Sequence, residues 1–163
     1  MTEYHPLPQP SDIPIKEKED AMGGYLMMFA ALAAGLPLPI INLLAAMIYF
    51  YLNRKISRFV YFHSLQSLLS QLPTSLLNAG VIFWTLQILI WQNGSFNNVF
   101  FGYLAMTVIA NLLYVLYSII GAMKARKGQM YYFLYFGSIS YHYAFRIKAN
   151  EGNNEVINKP PSI

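Results

Sequence analysis

Cysteine is absent from this 163-residue chain, and no Asp or Glu occurs between Asp20 and Glu151. Between Arg58 and Lys124 there is no charged side chain of either sign. The missing thiols exclude thiolate nucleophiles, disulfides and thiolate metal sites. The missing carboxylates remove paired-carboxylate hydrolysis, carboxylate metal ligation and acidic proton relays from the same stretch. Histidine is nearly as scarce, with His5, His63 and His142 alone. Zinc takes three or four ligands, and neither His63 nor His142 shows a haem-attachment spacing. The sequence therefore points away from an enzyme, and neither a metal nor a cofactor is expected.

What is present is apolar: 56% of residues are hydrophobic and 11% charged, against about 25% charged in soluble domains. A charge at bilayer depth costs about 2.5–3.5 kcal/mol on insertion scales, so Lys and Arg should gather where apolar runs surface. They do so at Lys16 and Lys18, at Arg54, Lys55 and Arg58, at Lys124, Arg126 and Lys127, and at Arg146 and Lys148. Each cluster abuts an apolar segment, so the net charge of +4 reads as anchoring against anionic headgroups, and no nucleic-acid partner is expected.

Residues 1–15, with several prolines and no apolar run, read as a flexible tail, as do residues 149–163. The membrane domain is then 16–148. Its first apolar region is interrupted at Gly35-Leu-Pro-Leu-Pro39; unbroken, it would run about 48 Å through a core of about 30 Å. The composition predicts a hairpin of helices over about 16–35 and 38–53, with one kinked span as the rival. Ala30 with Ala34, and Ala31 with Gly35, give small residues four apart, which suits close helix packing. Residues 56–92 form the next helical region, with a break expected near Pro73 and Trp91 at the far interface. The uncharged loop Gln-Asn-Gly-Ser-Phe-Asn-Asn at 92–98 suits the non-cytoplasmic side, and 99–123 is a further span. Two spans separate the cluster at Arg54 from that at Lys124, so both lie on one side by parity as well as by charge. Residues 130–147 are rich in Tyr and Phe and read as an interfacial helix, although Ile139, Tyr141, Tyr143, Phe145 and Ile147 alternate as a strand would.

Polar side chains at His63, Gln66, Ser67 and Ser70 recur at helical spacing on one face, extended loosely through Thr74 and Asn78. With Arg58 they are the candidate site. They serve either as interhelical hydrogen-bonding contacts or as a hydrophilic groove for a polypeptide or lipid headgroup.

The stretch RFVYFHSLQSLL (58–69) resembles the signature R-F-x-x-F-H-x-x-Q-A-L-L of small bacterial membrane proteins grouped with the chloroplast inner-envelope translocon subunit of about twenty kilodaltons. IIGAMKARKGQMYY (119–132) resembles the close of the last span in that group, with Lys124, Ala125, Lys127 and Gly128 on its motif. Together the likeness covers roughly residues 20–140. Ser67 replaces the small apolar residue usual after the Gln. The resemblance implies an integral four-helix fold and hints at protein translocation.

The expectation is an all-α integral membrane protein: about four transmembrane or membrane-embedded helices plus an amphipathic aromatic C-terminal segment. It would sit in a bacterial inner membrane with both termini cytoplasmic. Its partners would be the lipid bilayer and other membrane proteins or further copies of itself. The expected role is non-enzymatic, in protein translocation or another membrane complex. The alternatives are an oligomeric small-molecule or ion pathway lined by the stripe around His63, and a membrane enzyme acting on a lipid or quinone.

Overall fold

A computed structural model describes residues 3–30, 39–147 and 158–161. Helix α1, Ile15–Leu26, begins after Pro14 and tightens into a 3₁₀ turn at Met27–Phe29. Helix α2 is Pro39–Asn53, α3 is Arg58–Leu89, α4 is Asn98–Arg126 and α5 is Leu134–Phe145. Ser57 caps α3 by accepting the Val60 amide at 3.2 Å. Asn97 caps α4 by accepting the amides of Val99 and Phe100 at 3.1 and 3.0 Å, so two of the four orphan donors of that helix end are satisfied by the loop that starts it. At its other end Lys124 and Arg126 lie in the last turn, where cations complement the helix dipole. Gly128 then takes a positive φ of 72° and donates to the Ala125 carbonyl at 2.9 Å, closing the helix as only glycine does without strain.

α3 and α4 form an antiparallel hairpin. Midway along it the amides of Asn78 and Asn111 exchange hydrogen bonds at 3.0 and 3.2 Å, and the Tyr103 hydroxyl donates to the Leu77 carbonyl at 3.1 Å. Towards the loop, Trp84 stands edge-on to Phe100 at 5.6 Å. The opposite, basic half of the hairpin is wrapped by α1, α2 and α5. Gly24 and Gly121 set how closely α1 approaches: a Cβ on Gly24 would lie 3.2 Å from the Ser64 Cα, and one on Gly121 2.8 Å from the Tyr25 ring. The Arg54–Arg58 and Lys124–Lys127 clusters thus share one end of the molecule, as parity and charge require.

Among the described residues, α3 and α4 are the helices long and apolar enough to cross a membrane. The most apolar window of each is only 6% and 17% buried within the protein, the reverse of a soluble protein's core helix, so these faces suit lipid. α1 and α2, at 12 and 15 residues, reach about 18 and 22 Å, short of a core of about 30 Å. Of the about four crossing or embedded helices expected, two among the described residues have spanning length. The expected break at Gly35–Pro39 and the Ala34 and Gly35 spacings fall outside the described residues, apart from Pro39, the first residue of α2.

Two expectations need correction. α3 runs through Pro73 without ending there; hydrogen bonds to α1 on one side of the proline and to α4 on the other hold it. The segment expected as a helix over 130–147 contains one, α5, and the strand-like alternation after Ser138 lies within it. The N-terminal stretch, expected as a free tail, is docked: Ile13 and His5 are buried, and the amides of His5 and Ile147 donate to the Phe145 and Glu3 carbonyls at 2.8 and 3.0 Å. Apolar anchors between prolines give it something to bury. Of the expected C-terminal tail, residues 149–157, 162 and 163 are outside the described residues.

Candidate functional site

The polar face of α3 points into the protein. His63, Gln66, Ser67 and Ser70 are all buried. The Gln66 Nε2 donates to the Tyr25 hydroxyl at 2.6 Å, and that hydroxyl lies 2.9 Å from His63 Nδ1. A phenol oxygen that accepts from an amide still has its own proton to give, so the contact suits a Tyr25 donor and an unprotonated Nδ1. Gln66 uses its other end as well, its Oε1 accepting the Phe133 amide at 3.1 Å. One side chain of α3 therefore joins α1 to the strap that leads into α5. Ser67 Oγ donates to the Gly24 carbonyl at 2.8 Å, and Ser70 Oγ to the Ser67 carbonyl at 2.9 Å.

Aromatic rings seal the network. Phe59, Phe62 and Tyr25 meet the His63 ring edge-on, with centroids 4.5, 4.9 and 5.7 Å away. Gly137 faces Gln66: a Cβ there would come within 2.9 Å of its Oε1. Leu134, with φ 44°, sits in the left-handed region that non-glycine residues avoid, at the point where the strap turns from Phe133 into α5. Further out, Tyr4 stacks on Tyr141 at 5.2 Å and its hydroxyl lies 3.1 Å from His142 Nδ1. Burial raises the Tyr132 and Tyr141 hydroxyls above the usual phenol value, so they remain neutral hydrogen-bonding groups.

Arg58 does not join His63. The residue is 1% exposed and its guanidinium faces the chain's end segments, with Nη1 donating to the Lys159 carbonyl and Nη2 to His5 Nε2, each at 2.9 Å. Beside it the Phe59 amide donates to Asn158 Oδ1 at 3.2 Å, while Asn158 Nδ2 donates to Glu17 Oε2 at 2.6 Å. The second motif is a helix terminator: Ala125 is fully buried against Ile13, Ala21 and Phe59, Lys124 reaches Gln129 Oε1 at 3.1 Å, Lys127 is the exposed C-cap, and Gly128 makes the turn.

Sequence reasoning missed Tyr25, His5, the Phe133 amide and Asn111. Tyr25 follows a Gly-Gly pair at the end of a largely polar helix, so no periodicity singles it out; Asn111 could have been found as the other amide within an otherwise apolar span. No group of three or more His, Cys, Asp or Glu that could hold a metal occurs among the described residues.

These features define a helical membrane protein: a two-helix hairpin with lipid-suited outer faces, closed at its basic end by short helices around a buried polar network. The chain belongs to the MamF/MmsF family, the magnetosome magnetite crystal formation protein family, whose model matches residues 22–140. No curated protein and no solved structure matches it. The family matched gives no support to the resemblance to the chloroplast translocon subunit.

Proposed function

We propose that the protein is a non-enzymatic membrane component that supports magnetite crystal formation by organising the membrane and the proteins beside it. The observation that carries this reading is that the polar face of α3 is occupied by α1 and the strap before α5. A transport pathway needs such a face lining open space, and catalysis needs it within reach of substrate. What remains for partners is the apolar outer surface of the hairpin, including Leu76, Phe83, Ile109, Leu112 and Leu116, where lipid and neighbouring helices pack. In this reading the basic end faces the cytoplasm and the loop around Asn93 faces the other side. Protein translocation draws nothing from the family.

The test is deletion in the cell that makes the protein. Crystals should change in size or shape, and chains carrying Tyr25→Phe or His63→Asn should restore them wherever they accumulate normally in the magnetosome membrane. Unchanged crystals would refute the role, and failure of a well-accumulated His63→Asn chain would refute its non-enzymatic nature.

A further inference from the structure

The turn between α2 and α3 carries Arg54 and Lys55, and the Arg54 and Ile56 amides fix it by donating to the Phe50 and Asn53 carbonyls at 2.8 and 3.0 Å. Elsewhere the arginine side chains are occupied: Arg58 reaches Lys159 and His5, Arg126 the Met22 sulfur and Arg146 the His142 ring. Arg54 makes no side-chain hydrogen bond among the described residues, yet it is held in place. Its guanidinium carbon lies 4.7 Å from the centroid of the Tyr51 ring, a stack that sets the plane of the group. Its Nε is enclosed without a partner, whereas its terminal nitrogens are not enclosed. Two hydroxyls from other helices face this open fork. Tyr61 packs edge-on against Phe50 at 5.3 Å, and its hydroxyl interacts electrostatically with Arg54 and with Tyr143 of α5. Neither hydroxyl is enclosed, and neither has a hydrogen-bond partner among the described residues.

We propose that Arg54, with the hydroxyls of Tyr61 and Tyr143, binds the phosphate of one anionic phospholipid. The terminal guanidinium nitrogens match two phosphate oxygens, and the phenols can donate to the others. No carboxylate occurs between Asp20 and Glu151, so the three helices that build the site bring no competing anion. The ligand is a lipid because α2 leads up to Arg54 with an exposed apolar stripe at helical spacing, Leu44, Ile48, Tyr51 and Leu52. Acyl chains have a surface to lie along there, which a free phosphate could not use, and basic sites between membrane helices suit anionic headgroups. The site is independent of the role in crystal formation proposed above.

Native mass spectrometry of the detergent-solubilised protein with dioctanoyl phosphatidylglycerol tests the proposal. One saturable adduct per chain is expected. Dioctanoylglycerol, with the same chains and no phosphate, should bind at least about tenfold more weakly, the loss expected for a charge-assisted hydrogen bond. Inorganic phosphate at the same concentration should not displace the lipid. Arg54→Gln should weaken the adduct about tenfold, and Tyr61→Phe, which keeps the ring against Phe50, about fivefold. Lys127→Gln removes one exposed charge from the same end of the molecule and should change binding by less than about twofold. If the Arg54→Gln chain does not assemble, Tyr61→Phe compared with Lys127→Gln carries the test. Equal losses in the variants, as for diffuse attraction to the basic end, would overturn the proposal. So would equal binding of dioctanoylglycerol, displacement by inorganic phosphate, which would mark a free-anion site, or no adduct at all.

Discussion

Gln66→Leu separates a polar residue that merely tolerates burial from one that closes the structure. Leucine fills a similar volume, so the substitution acts through hydrogen bonding. It removes the donor to Tyr25 and the acceptor of the Phe133 amide. The lost bond to Tyr25 is worth about 0.5–1.5 kcal/mol, and the orphaned buried amide costs about 1–3 kcal/mol. Tyr25 can still donate to His63, and leucine has no polar group to desolvate, so part of the loss is offset and a net destabilisation of about 2 kcal/mol remains. That is above the average of about 0.6 kcal/mol for one interhelical bond in a membrane protein, because Gln66 connects two segments to α3. The assay is reversible unfolding in mixed micelles, comparing Gln66→Leu, Tyr25→Phe and the double variant. The cycle should give a coupling of about 1 kcal/mol, with the cost of the Phe133 amide persisting in the double variant. A loss below about 0.5 kcal/mol in a normally assembled Gln66→Leu chain would refute the claim that this side chain holds the strap.

Gly128→Ala should cost at least about 1 kcal/mol, since φ is 72° and the new Cβ would lie 3.1 Å from the Pro10 Cα; it should also speed limited proteolysis before Ile13, and unchanged proteolysis would count against docking of that segment. Asn78→Leu should destabilise more than Asn78→Leu combined with Asn111→Leu, because the single change leaves one amide without its partner inside the hairpin; additive losses in the same unfolding assay would contradict the pairing. On this cysteine-free chain, Asp12→Cys and Ser95→Cys should react with an impermeant thiol reagent from opposite sides of the membrane; labelling from the same side would refute a two-span hairpin.

The hairpin and its basic end were readable because they follow from charge: a stretch as long as 59–123 without a charged residue, flanked by Lys and Arg clusters, leaves a two-span arrangement with both clusters at one end. The inward face of α3 was readable too, since His63, Gln66, Ser67 and Ser70 keep helical spacing against an apolar background. What they face was not. Tyr25 meets them because Gly24 and Gly121 let α1 settle closely, a tertiary event with no local signal. Pro73 misled because the rule for proline describes a helix in water, whereas here packing on both sides continues the helix. The N-terminal prolines misled similarly: composition marked a free segment, while Ile13 and His5 bury themselves in a surface built from residues as near as Ala21 and as far as Phe145.

The first turn of α3 receives two of its hydrogen-bond partners from very late in the chain. The Phe59 amide waits for Asn158, 99 residues on, and the Arg58 guanidinium for the Lys159 carbonyl, 101 residues on. During synthesis both spans can enter the bilayer and pair before either acceptor exists. These two bonds close only when the last segment arrives, after the entropy of so large a loop has been overcome. Maturation thus has a built-in order, hairpin first and latch last, and a chain stalled short of residue 158 would carry the paired helices with both of these bonds unmade.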